Sequence, residues 1–184
     1  MQWGLEQLMP RWDHREVHHR WIAAEPERVW DALWDLRVRD LTVTDALTRL
    51  RGGPRAWRRE QTDPAHGDRR VMESMAPKLL VAERPEELVL TDVARYTAAQ
   101  PGRPEARDWT PEDFAGFAEP GWSKVGMNFR LAPKNSGTEL FTETRVLSTD
   151  AATKRSFTVY WIPVRVGSGL VRRDVLRAVS QAVS

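Results

Sequence analysis

The sequence predicts an α+β fold in which a curved antiparallel sheet wraps around one long carboxy-terminal helix, with two short helices after the first strand. Three observations predict it. Residues 150–184 read as one amphipathic segment carrying Phe157, Tyr160, Trp161, Val164, Leu170, Val171, Val175 and Val179. Ahead of it lie several short runs with the period-two alternation of strands, and ahead of those a strand-like stretch that passes directly into a helical one.

The first strand is expected over residues 14–23, where the odd positions Val17, His19, Trp21 and Ala23 are the more apolar and His14, Glu16, His18 and Arg20 the polar ones. Ala24-Glu25-Pro26-Glu27 then opens a helix, with proline in the first turn and acids at its positive end, and Val29, Trp30, Leu33 and Leu36 form its apolar stripe. Thr42 or Thr44 would cap a second short helix containing Leu47 and Leu50, stopped by Gly52-Gly53-Pro54, and residues 55–68 read as loop. Further strands are expected at residues 70–75, 79–83 and 87–96, with Pro77 and Pro85 at the turns and a polar insertion at about 100–111. A hairpin follows, with strands at 122–131 and 138–147 around Pro133-Lys-Asn-Ser-Gly137. Thr149 or Asp150 caps the last helix, in which the spacing 157, 160, 161, 164 fits a 3.6-residue period and Pro163 and Gly167-Ser-Gly169 are kinks. Phe157 to Ile162 is rich enough in β-branched and aromatic residues to suit a strand instead, in which case helix begins near Gly167.

A chain of 184 residues buries roughly 70% of its unfolded surface, enough for a single domain over residues 1–184 with 1–12 as an amino-terminal extension. With 41% hydrophobic and 29% charged residues the composition is globular, and no apolar run, Val159 to Ile162 included, exceeds four residues, too short to cross a bilayer. The amino end lacks the basic cluster and apolar stretch of a signal peptide, and there is no cysteine, so a cytoplasmic location is expected. Net charge is only +2 despite a pI of 9.3. It is unevenly spread: residues 79–120 hold nine acids and four arginines, whereas residues 150–184 hold six bases and two acids.

Residues 23–33, Ala-Ala-Glu-Pro-Glu-Arg-Val-Trp-Asp-Ala-Leu, look like the first strand-to-helix passage of the START-like superfamily, the helix-grip (SRPBCC, Bet v 1-like) group that includes polyketide cyclases, plant pathogenesis-related allergens and lipid-transfer domains. Gly137-Thr-Glu-Leu-Phe-Thr-Glu-Thr-Arg145-Val, and Tyr160-Trp161 followed by Leu170-Val-Arg-Arg, resemble a bacterial branch of the same superfamily. The resemblance runs from about Asp13 onward and implies a cavity between sheet and terminal helix that holds a lipid, polyketide or isoprenoid-like molecule. It implies no cofactor and no single reaction, because one fold hosts unrelated functions.

On this reading Phe157, Tyr160, Trp161 and Val164 from the helix, with Met127 and Phe129 from a strand, line the pocket, against the alternative of plain core packing. Glu143 and Arg145 share a strand face and would either orient a polar ligand head, joined by Asn128 and Arg130, or form a surface pair. His14, Glu16 and His18 superficially offer metal ligands, but the two histidines stand roughly 13 Å apart along a strand, so no metal is expected. Arginines 49, 51, 55, 58 and 59 around Trp57 suggest a nucleic-acid patch, which the nearly balanced charge opposes, so no DNA is expected. Binding or transport of a hydrophobic molecule is the first reading, and a cyclase or aromatase without cofactor, with Glu143, Arg145, Tyr160 or a histidine moving protons, is the alternative. A protein- or RNA-interaction subunit is the third, and a homodimer is compatible with all three.

Overall fold

The computed structural model describes residues 4–43, 67–74, 78–98, 102–104 and 109–184. Five strands form one antiparallel sheet: β1 (His14–Ile22), β2 (Lys78–Glu83), β3 (Glu87–Ala94), β4 (Ser123–Lys134) and β5 (Gly137–Ser148), in the order β1-β5-β4-β3-β2. The helices are α1 (Leu5–Leu8), α2 (Pro26–Asp35), α3 (Val71–Ser74), α4 (Pro111–Gly116) and α5 (Ala151–Ala182), with a 3₁₀ turn at Val38–Asp40. An antiparallel sheet closed by a long carboxy-terminal helix is the helix-grip arrangement, as expected.

The terminal segment is helix from its first turn. Asp150 caps it, its carboxylate accepting from the Ala152 and Thr153 amides at 2.8 and 2.9 Å, and these bonds, led by those from Thr153, hold the carboxyl down at about 2. Thr149 serves elsewhere, accepting from the Trp122 amide. Phe157 to Ile162 is helical despite its strand-like composition: Phe157 and Trp161, four apart, are both buried against the sheet while Val159 between them is exposed, whereas alternation would turn all three to one side. The helix runs unbroken through Pro163 and Gly167-Ser-Gly169.

Two layers flank the sheet. On one face α2 and α5 bury Val29, Leu33, Val175 and Val179 against Leu88, Leu90, Met127, Phe129 and Leu140. On the other, α1 and α4 set Leu5, Leu8, Met9 and Phe114 against Val81, Val89, Val93 and Trp122. Neither α1 nor α4 stands out in the sequence, since each is only four to six residues long. The strand expected at 70–75 is instead the helical turn α3: adjacent Val71 and Met72 are both buried, which a strand would place on opposite faces. The hairpin strands extend to Lys134 and from Gly137, leaving a two-residue turn with Asn135 at φ 56°. Of the second short helix only Thr42 and Val43 are described; Leu47, Leu50, Gly52-Gly53-Pro54 and the arginines around Trp57 lie outside the described residues.

The outer layer carries one energetic liability. Lys124 is 3% exposed beneath α4, donating to the Ala115 carbonyl at 2.9 Å and lying 4.9 Å from the Phe114 ring, and burial pushes its ammonium down to about 8 from an ordinary 10.5. Between those values the unfolded lysine holds a proton that the folded one has lost, so stability rises with pH; below about 8 both states are protonated and the folded state bears the desolvation cost. The urea midpoint should therefore climb from pH 8 to 10. Lys124→Met should flatten that climb and exceed the parent at pH 7, and a flat profile for the parent would refute the burial account.

Candidate functional site

Strand alternation decides what lies beneath α5. Along β1 the residues facing the helix are the even ones, His14, Glu16, His18 and Ile22, whereas Val17 and Trp21 point away and are 41% and 44% exposed. This reverses the sequence expectation that the more apolar odd positions are the buried ones. Along β5 the inward set is Leu140, Thr142, Thr144 and Val146, paired across β1 so that Thr142 stands opposite His18 and Thr144 opposite Glu16.

The interior under α5 is consequently layered. At the end nearest the start of α5 is an aromatic wall: Phe157 and Trp161 pack on Val146, His14 stacks on Trp161 and lies tilted against Phe157, each at 5.7 Å, and Tyr96 meets Phe157 edge-on at 5.7 Å and lies over Tyr160 at 6.3 Å. Val164 is partly buried against the same cluster. Burial draws the His14 imidazole below its ordinary value. The Tyr96 hydroxyl donates to Asp92 at 2.8 Å, Arg103 grips the same carboxylate through two bonds of 3.0 Å, and burial, then Asp92, drives the phenol pKa up. Arg103 belongs to the polar insertion, so the described part of that insertion is tied to the aromatic wall.

At the far end is the apolar core of Ile22, Leu140, Val175 and Val179. Between the two ends runs a polar belt. Arg172 on α5 is 7% exposed, and its one hydrogen bond among the described residues goes from Nη1 to Thr142 Oγ1 at 3.0 Å. Burial pushes its guanidinium down to about 10, opposed by the field of Glu16. Glu16 Oε1 lies 2.8 Å from His18 Nε2, and Glu16 Oε2 is buried with no hydrogen-bond partner among the described residues. Gly169 permits this closeness: a Cβ there would sit 2.6 Å from Glu16 Oε1 and 3.3 Å from His18 Nε2, so a residue costing the helix roughly 1 kcal/mol lets it settle on the belt.

The candidates named from sequence are thus divided. Phe157, Tyr160, Trp161 and Val164 sit together in the aromatic wall. Met127 and Phe129 face the same side but are fully buried in the apolar core, packed with Leu88 and Leu90 instead of the helix aromatics. Glu143 and Arg145 are on the opposite face of the sheet, with Asn128, and so cannot touch anything held under α5. Arg145 donates to Glu143, to Glu6 and to the Met9 carbonyl at 2.6, 2.5 and 2.7 Å, which ties down α1. Burial pushes the Glu143 carboxyl up, but Arg15 and Arg145 overcome it and hold the group below its ordinary range. Arg130 also lies on that outer face, over the Phe141 ring at 4.6 Å.

Sequence reasoning missed Arg172, Thr142 and the Glu16–His18 pair as members of one cluster. The signal for Arg172 is its place three residues before Val175 and seven before Val179, on the buried side of α5. Two surface grooves lie elsewhere: one of about 550 Å³ between the amino end of α2 and the β3–β4 edge, and one of about 340 Å³ beside Trp34 and Met72.

No family model and no curated protein matches the chain. Among solved structures it is similar to the Mll3558 protein from Rhizobium loti, at 13% identity over 92% of this chain and 96% of that one, with a TM-score of 0.41. It is also similar to CalU16 from Micromonospora echinospora, at 14% identity over 92% and 83% with a TM-score of 0.33. TTHA0849 from Thermus thermophilus gives 12% identity over 92% and 97% with a TM-score of 0.35. Likenesses of this degree are of overall form alone, and the helix-grip arrangement stands on this chain's own strand order and terminal helix.

Proposed function

We propose that this protein binds a small, mainly hydrophobic molecule beneath its terminal helix, with the aromatic wall against the molecule's body and the polar belt against a polar end. One observation supports this above others: among the described residues Arg172 is buried with a single hydrogen bond, in the field of the Glu16 carboxylate, whose Oε2 has none. Buried charges are costly unless their hydrogen-bonding capacity is met, and a few unmet polar groups within apolar walls are the usual chemistry of a small-molecule site. Thr142, Thr144 and His18 add hydrogen-bonding capacity to the same patch.

A second reading has its own support. The 2.8 Å Glu16–His18 contact is the geometry of an acid–base pair, which in a cavity that folds a reactive chain would serve a cyclase-type proton transfer.

The binding reading is tested with 8-anilinonaphthalene-1-sulfonate, whose fused rings suit the wall and whose sulfonate suits Arg172. Native mass spectrometry before and after organic extraction should in addition reveal a small molecule carried through purification. Trp161→Ala should weaken the probe roughly tenfold, the effect of losing a large buried aromatic contact, while Trp21→Ala on the opposite face leaves it unchanged. A clean apo mass with no probe response, or equal effects of the two variants, overturns the reading.

A further inference from the structure

The outward side of α5 carries a feature that a ligand-binding role leaves unexplained. Val159, Ile162, Val166 and Leu170 are 71%, 69%, 68% and 38% exposed. Their spacing of three, four and four residues lines them up on the helix face opposite Trp161 and Val175, over a length of about 16 Å. Single exposed aliphatics are ordinary, but four in a row on one helix are not. Around the stripe stand Arg155, Arg165 and Arg173, all exposed and without a partner among the described residues. Residues 151–173 contain five bases and no acid, in a chain whose net charge is only +2.

From this pattern we infer that the outer face of α5 docks onto an anionic lipid surface, its aliphatic stripe entering the headgroup boundary and its arginines meeting the lipid phosphates and carboxylates. The physics is that of an interfacial helix: an apolar stripe supplies burial and flanking cations supply attraction to negative lipid. The helix lies on the surface and does not enter the bilayer core, since no helix among the described residues is long and apolar enough to span it. Charge also discriminates against a second copy as the occupant. A two-fold contact across this face would set three unpaired arginines against three more, with no acid between residues 151 and 173 to offset them. The inference stands apart from the binding reading, because it uses the opposite side of the helix and none of the belt or wall residues.

The test is co-sedimentation of the full chain with phosphatidylcholine vesicles containing roughly 30% phosphatidylserine, beside vesicles of phosphatidylcholine alone, with size-exclusion chromatography of the same samples. The protein is expected to pellet with the anionic vesicles, to pellet far less with the neutral ones, and to be released by high salt. The double variant Ile162→Asp with Val166→Asp should lower the apparent partition coefficient roughly tenfold or more, and Arg165→Glu with Arg173→Glu should abolish the preference for anionic lipid. Because all four residues are exposed, unchanged thermal melts should accompany both losses, and the anilinonaphthalene affinity should stay at the parent level. Absence of binding to anionic vesicles overturns the inference. So does binding that the Ile162/Val166 variant leaves intact, or a dimer dispersed by that variant in a protein that ignores both kinds of vesicle.

Discussion

Arg145→Ala is expected to destabilise the fold by about 3 kcal/mol, the scale on which removing one member of a buried ion pair acts, and so to lower the melting temperature by about 6–12 °C in a chain of this size. Arg145 is 5% exposed on β5 and holds four things at once: the Glu143 carboxylate, the Met9 carbonyl, the Glu6 carboxylate and, at 4.3 Å, the Trp12 ring. Truncation leaves Glu143 with Arg15 alone and the carbonyl that ends α1 without its donor. Leu5, Leu8 and Met9 would still be apolar and still favour the sheet, so loosening rather than full release of α1 is expected. Glu6→Ala is the control: that carboxylate is 67% exposed, and its loss should cost well under about 1 kcal/mol. Urea denaturation of both variants, with limited proteolysis between Met9 and Asp13, measures the difference. A cost for Arg145→Ala no larger than that for Glu6→Ala would mean that apolar burial alone fixes α1.

That outer-face role is one of the two readings the residue pattern left open. Glu143 and Arg145 are two apart on a strand and do share a face, as alternation requires; alternation is silent on which face, and the answer depends on α1, a four-residue helix with no periodic signature. The reverse happened on β1. Its apolar odd positions look like the buried ones, yet Val17 and Trp21 are on the open side because Glu16 and His18 occupy the interior. Local polarity there contradicts the global fold, and such conflicts collect where a protein does something besides pack. The strands of the β4–β5 hairpin, helix α2 and the long terminal helix were legible because each is long and strictly periodic. The aromatic wall was legible for the same reason, since Phe157, Tyr160, Trp161 and Val164 fall on one side of a regular helix. Arg172 was not, because a cation in a basic helix reads as solvated until the neighbouring β5 threonines are placed beneath it.

The second large effect concerns that arginine. Arg172→Met is expected to lower affinity for 8-anilinonaphthalene-1-sulfonate roughly tenfold to a hundredfold, the equivalent of losing a charge-assisted hydrogen bond of about 1.5–3 kcal/mol, while the melting temperature holds or rises. The two halves of the prediction have a common cause. The guanidinium is buried with one bond to Thr142 among the described residues, and that burial holds its pKa down at about 10. A methionine of similar length keeps the packing against β1 and β5 and removes the desolvation cost, as apolar replacement of buried charges often does. If Arg172 is instead a strut whose value lies in Thr142 and the field of Glu16, the signs invert: the melt falls and probe affinity stays. Lysine at the same position distinguishes further, since it restores the charge without the planar fork that can bond Thr142 and a ligand oxygen together, and should recover only part of the lost affinity.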